Sequence, residues 1–197
     1  SLDFDEKLNM LNLNIGIWAI YEWFPKCNLG FSYIMNVKGL ISDYTKCLLK
    51  CVEQVVDGDG VTATPVMYDR IRGRIVLETC KGDPTEQLTK IAQVYVNVLT
   101  NPFSKEFQAF KKWVETDKHQ YGGCEIPRER ILKLLKDIED ENLCLVEARN
   151  YITKDAGHRA YHIILSYLSD STALMHTEIQ ILDRITSARD EGVCYTG

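Results

Sequence analysis

Two carboxylates and a lysine stand close enough in this chain to suggest metal-assisted hydrolysis. Asp69, Glu78 and Lys81 lie in or beside the stretch 71–80, which is rich in β-branched residues. On a strand pair, acids so placed hold Mg²⁺ while a lysine organises the attacking water. The spacing argues against a shared site. Glu78 and Lys81 are three residues apart, and side chains alternate along a strand, so the two point to opposite faces unless a bulge intervenes. A solvated strand end with mixed charges accounts for the same residues.

An acid followed by an acid and a lysine on a hairpin is the pattern of metal-dependent nucleases of the PD-(D/E)xK type. Here Asp69 follows Tyr68 instead of proline, and two residues separate Glu78 from Lys81 instead of one. A nuclease using Asp69, Glu78 and Lys81 is therefore the alternative reading. The same segment carries Arg70, Arg72 and Arg74 on alternate positions, which share one face of a strand and form a small basic patch. With a formal net charge of −5, a broad nucleic-acid surface is not favoured, because phosphate binding needs concentrated Lys and Arg. Trp18, Tyr21, Trp23 and Phe24 form an aromatic group that suits core packing; a binding groove at Trp18 and Trp23 is the functional option.

Other constellations fall short. His158 and His162 have i, i+4 spacing but lack the glutamate of HExxH, and a ligand set needs three or four groups. The run Asp57-Gly-Asp59-Gly begins like a calcium loop, yet Thr62 and Tyr68 occupy the positions where glycine and the bidentate glutamate are needed. Nucleophile elbows and phosphate-binding glycine loops are missing. The seven cysteines include no CxxC pair, which reads as reduced, buried thiols with neither a metal nor a cofactor.

The elements that must carry these residues read as helices. Phe4, Leu8, Leu11, Ile15 and Trp18 recur at helical spacing up to Pro25, and Leu40 to Val55 repeats at three and four. Leu88 to Leu99 and Phe107 to Val114 give two more stripes. Ile131, Leu134, Ile138, Leu145, Ala148 and Ile152 predict a helix of about six turns opening at Pro127. Ile164, Leu168, Met175, Leu182 and Ile185 predict a last helical stretch. The spacing thus predicts a mainly α fold: a bundle of five to seven helices with a small β-hairpin insertion around residues 61–80.

At 197 residues, with 45% hydrophobic and 26% charged residues, the composition is that of one globular domain over 1–197. The chain starts at Ser1 without a methionine, which reads as a segment of a longer protein. No N-x-S/T acceptor, signal peptide or apolar run of about 18 residues is found, so an intracellular place, cytoplasmic or nuclear, with no membrane partner is expected. Well-patterned helices without catalytic constellations point to a protein–protein interaction module that binds another protein, and not to an enzyme.

Overall fold

The computed structural model describes residues 2–24, 30–37, 48–49, 52, 71–78, 84–116, 120–121, 124–152, 159–168 and 174–190. In chain order these form α1 (Leu2–Trp18), β1 (Gly30–Val37), β2 (Ile71–Glu78), α2 (Thr85–Thr100), α3 (Lys105–Glu115), β3 (Gln120–Tyr121), β4 (Cys124–Glu125), α4 (Arg128–Glu139), β5 (Leu143–Asn150), β6 (Ala160–Leu168), β7 (Leu174–Asp183) and α5 (Arg184–Asp190). Five of the strands make one mixed sheet in the order β1-β2-β7-β6-β5. β2 runs parallel to β7, and the other pairs are antiparallel. β3 and β4 form a separate two-stranded ribbon.

The fold class is therefore α/β, and the expected helical bundle with a hairpin at 61–80 is incorrect. Only Ile71–Glu78 of that supposed hairpin is a described strand, and its neighbours are β1 and β7. The long helix from Pro127 stops at Glu139, since Glu141 takes a positive φ of 62° and turns the chain into β5. What looked like a final helix is the antiparallel pair β6 and β7. Leu174–Asp183 alternates Glu178 and Gln180 with Ile179 and Ile181, a period of two that suits a half-buried strand. Gly30–Val37 is the first strand in the sheet order, paired with β2. The helix expected over 40–55 falls mostly outside the described residues.

Helices cover one face of the sheet. Ile75 and Leu77 of β2, Ile163 and Leu165 of β6, and Ile179 and Ile181 of β7 point into a single apolar core. From the helices, Leu11 and Ile15 of α1, Leu88 and Tyr95 of α2, Phe110 of α3 and Leu135 of α4 meet them there. Tyr95 reaches across the core, and its hydroxyl donates to the carbonyl of Asn12 at 2.6 Å. That bond ties α2 to α1 and satisfies a hydroxyl that would be costly to bury alone.

The helical stripes were legible where capping chemistry was clear. Ser104 caps α3, accepting from Phe107 N at 3.1 Å, as Ser at an N-cap does. α1 passes into a π-turn at Ala19–Trp23, closed by Phe24 N donating to Ala19 O at 2.8 Å. This turn brings Trp23 against Trp18, with ring centroids 5.1 Å apart. Among the described residues no helix is long and apolar enough to cross a membrane.

Replacing Phe110, fully buried with Trp18 and Trp113 within 6 Å of its ring, by alanine should cost about 3–5 kcal/mol. Phe103→Ala, at a residue 93% exposed, should change stability by less than about 0.5 kcal/mol. Denaturant unfolding of both variants measures the contrast, and equal losses would contradict this core.

Candidate functional site

The side of the sheet opposite the apolar core is polar at its centre. Strand alternation puts Arg74 and Val76 of β2, His162 and Ile164 of β6, and Glu178, Gln180 and Leu182 of β7 on this second face. Registers align them into rows. Arg74 stands beside Gln180, Gln180 beside His162, and His162 beside Arg149 of β5. One step along, Arg72 is in register with Glu178, followed by Ile164 and Glu147. Val76, Ala160 and Leu182 form a small apolar cluster at the far end of the face.

Glu178 is the centre of the arrangement. It is only 7% exposed, which a carboxylate tolerates only when its oxygens have partners. Each oxygen has one: Oε1 lies 3.0 Å from His162 Nδ1, and Oε2 accepts from Gln180 Nε2 at 3.1 Å. The ring of His162 is in turn held edge-on by Tyr151, with centroids 5.1 Å apart. Carboxylate orientation is thus fixed by two neighbours that are themselves fixed. Oε1 of Gln180, on a residue 4% exposed, has no hydrogen-bond partner among the described residues, leaving an acceptor beside the carboxylate. A buried acceptor left open within a polar cluster is a feature of ligand sites.

At the margin of the face, Glu147 and Arg149 of β5 form an exposed ion pair at 2.7 Å. The hydrogen bond from Arg149 holds the Glu147 carboxyl below its ordinary range, and the same bond raises the Arg149 guanidinium. At the start of α5, Asp183 caps the helix by accepting from Thr186 N at 3.2 Å, which anchors the end of β7. Elsewhere, a cavity of about 750 Å³ lies between the C-terminal end of α2, α4 and the start of β5. Its charged residues include Lys111 and Glu139, paired at 2.8 Å, and the pair raises the Lys111 ammonium above its ordinary value.

The residues singled out in the sequence are distributed unevenly over this geometry. Arg74 joins the polar face, and Arg72 occupies the register position beside Glu178; Arg70 lies outside the described residues. Glu78 is bound to Arg184 of α5 at 3.0 Å, and Asp69 and Lys81 lie outside the described residues. Trp18 is 2% exposed and packs in the core against Phe110, so a groove lined by it does not exist, while Trp23 is half-buried beside it. Among the described residues no group of three or more His, Cys, Asp and Glu could hold a metal by itself. Sequence reasoning missed Glu178 and Gln180, and weighed His162 only as a metal ligand paired with His158. The signal was the alternation Thr177-Glu-Ile-Gln-Ile181, which places polar residues where an ordinary buried strand carries apolar ones.

No protein-family model matches the chain, and no curated protein matches it. Among solved structures it is similar to that of a GTP pyrophosphokinase family protein from Streptococcus pneumoniae. Identity there is 15% and the TM-score 0.43, over 98% of this chain and 76% of the other. It is also similar to small alarmone synthetase 1 from Bacillus subtilis, at 16% identity and a TM-score of 0.41, over 92% of this chain and 70% of the other.

Both of those descriptions name enzymes, and neither names an interaction module or a nuclease. The reading of this chain as a helical, protein-binding module without catalysis is corrected on its own premises: a mixed five-stranded sheet stands where the bundle was expected, and that sheet holds a buried carboxylate with polar partners. The nuclease alternative is set aside with it, since Glu78 is engaged with Arg184 at the sheet margin.

Because the lowered Glu147 carboxyl depends first on its hydrogen bond to Arg149, Arg149→Gln should return it toward the ordinary carboxylate range. The stabilising interaction is present above the unfolded carboxyl's titration and disappears as pH falls through the lower folded value. Carbon-13 NMR titration of Glu147 in both proteins measures this; an unmoved titration would refute the pairing.

Proposed function

We propose that this chain is an enzyme whose polar sheet face binds a phosphorylated substrate of the nucleotide class and promotes transfer or cleavage of a phosphoryl group. The observation that carries the reading is Glu178, a buried carboxylate oriented by His162 and Gln180, which share a row with Arg74. Phosphoryl transfer asks little covalent chemistry of a protein; positioning and charge stabilisation supply most of the rate. A guanidinium meets both demands, because its planar fork matches phosphate oxygens two at a time.

In this proposal Arg74 neutralises phosphate oxygens. Glu178 takes the proton of an attacking hydroxyl or faces a cation carried in by the substrate. Mg²⁺ needs only one or two protein carboxylates when phosphates complete its shell, so a single buried glutamate fits that role. His162 and Gln180 act through Glu178 as positioning residues. The open acceptor on Gln180 suits a donor on the bound molecule, such as a ribose hydroxyl or a base amino group. A reduced, cytoplasmic setting belongs to the same proposal, supported by seven cysteines without a paired motif and by the free thiol of Cys144.

GTP and ATP with Mg²⁺ are suitable first probes, with products separated by ion-exchange chromatography and followed by phosphorus NMR. Glu178→Gln should lower kcat by about a hundredfold or more while retaining the fold. Arg74→Ala should weaken nucleotide binding by about tenfold or more, the loss of a charge-assisted hydrogen bond. A wild-type protein that neither binds nor converts nucleoside di- and triphosphates contradicts the proposal.

A further inference from the structure

β5 ends the five-stranded sheet on one side, and among the described residues no strand pairs with its far edge. Residues 145–150 are all exposed, with Leu145 at 39% and Val146 at 44%. Tyr151 N donates to Ala160 O at 2.9 Å, which sets the phase of pairing with β6. Hydrogen-bonded positions alternate on an antiparallel strand, so Arg149 addresses β6 while Ala148 and Asn150 turn their N–H and C=O groups outward. Open edges of this kind recruit another strand unless something blocks them.

Charged residues usually provide the block, since a second copy brings like charge to like charge. The order Glu147-Ala148-Arg149 does the opposite. In an antiparallel pairing about a two-fold axis at Ala148, Glu147 of one copy stands opposite Arg149 of the other, and the reverse pair follows by symmetry. Within one chain the two side chains are already joined at 2.7 Å, so the second copy would complete a four-charge cluster of alternating sign. The irregularity between Leu145 and Glu147 lies off the centre of this pairing. Exposed apolar surface gathers at the same edge: Phe103, 93% exposed, lines the 750 Å³ cavity together with Leu145.

We infer that β5 pairs with β5 of a second copy of this chain, antiparallel about Ala148, joining two five-stranded sheets into one continuous sheet. The occupant follows from charge order: Glu-Ala-Arg is its own complement under a two-fold rotation.

Sedimentation equilibrium of the whole chain through the micromolar range tests this. Wild type should be a dimer that loosens as salt rises. Glu147→Arg places two pairs of like charges face to face and should raise the dissociation constant by about tenfold. The exchange Glu147→Arg with Arg149→Glu should restore it, which merely general damage to the strand would not allow. Ala148→Pro removes an outward N–H that edge strands can spare and should leave a folded monomer. A wild type that stays monomeric throughout, or a dimer indifferent to all three variants, overturns the inference. Should Ala148→Pro fail to fold, the loss and rescue by the charge variants decide it.

Discussion

The two-sided character of β7 is the constraint on which the rest of the structure depends. The strand lies at the centre of the sheet, parallel to β2 on one side and antiparallel to β6 on the other. Its odd positions, Ile179 and Ile181, are fully buried in the helix-backed core; its even positions, Glu178 and Gln180, build the polar face. A one-residue slip in register would exchange these sets, expelling two isoleucines worth about 1.5–3 kcal/mol each and burying a carboxylate among aliphatics. Packing of the core and orientation of the site are therefore two consequences of one register.

The helical layer gives that register its firmness. α1 and α2 are bound through the Tyr95–Asn12 hydrogen bond, and α2 lies over β5, β6 and β7, so the floor of the polar face rests on buried side chains. Interiors packed this closely deform little, which is what a carboxylate held by a histidine and an amide needs. The residues to which the proposal assigns the chemistry are then carried on strands, which hold side chains more precisely than loops do.

Legibility in the sequence followed the strength of local punctuation. α2 and α3 were readable because Leu88 to Leu99 and Phe107 to Val114 keep a helical stripe and the boundary at Asn101, Pro102 and Ser104 is chemically clear. α4 was overextended because Leu145, Ala148 and Ile152 continue the spacing of Ile131, Leu134 and Ile138 by coincidence, across a turn marked only by the left-handed Glu141. β6 and β7 were mistaken for helix since Ile164, Leu168, Met175 and Leu182 lie four or seven apart, which masked the stricter alternation around Ile179. The face of β2 was legible: Ile75 and Leu77 point to the core, and Arg74 to the other side. Its partner Glu178 was not, because nothing along the chain shows that the two strands become neighbours 106 residues apart, as Arg72 and Glu178 are by register.

By the proposal above, a phosphorylated ligand sits on the polar face formed by β2, β6 and β7. Hydrogen–deuterium exchange with and without GTP and Mg²⁺, read residue by residue, tests it most directly. Slowed exchange should concentrate in Ile71–Glu78, Ala160–Leu168 and Leu174–Asp183, and be absent in Glu178→Gln with Arg74→Ala. Protection confined to the cavity beside Phe103, or no protection under conditions where the nucleotide binds, would contradict it.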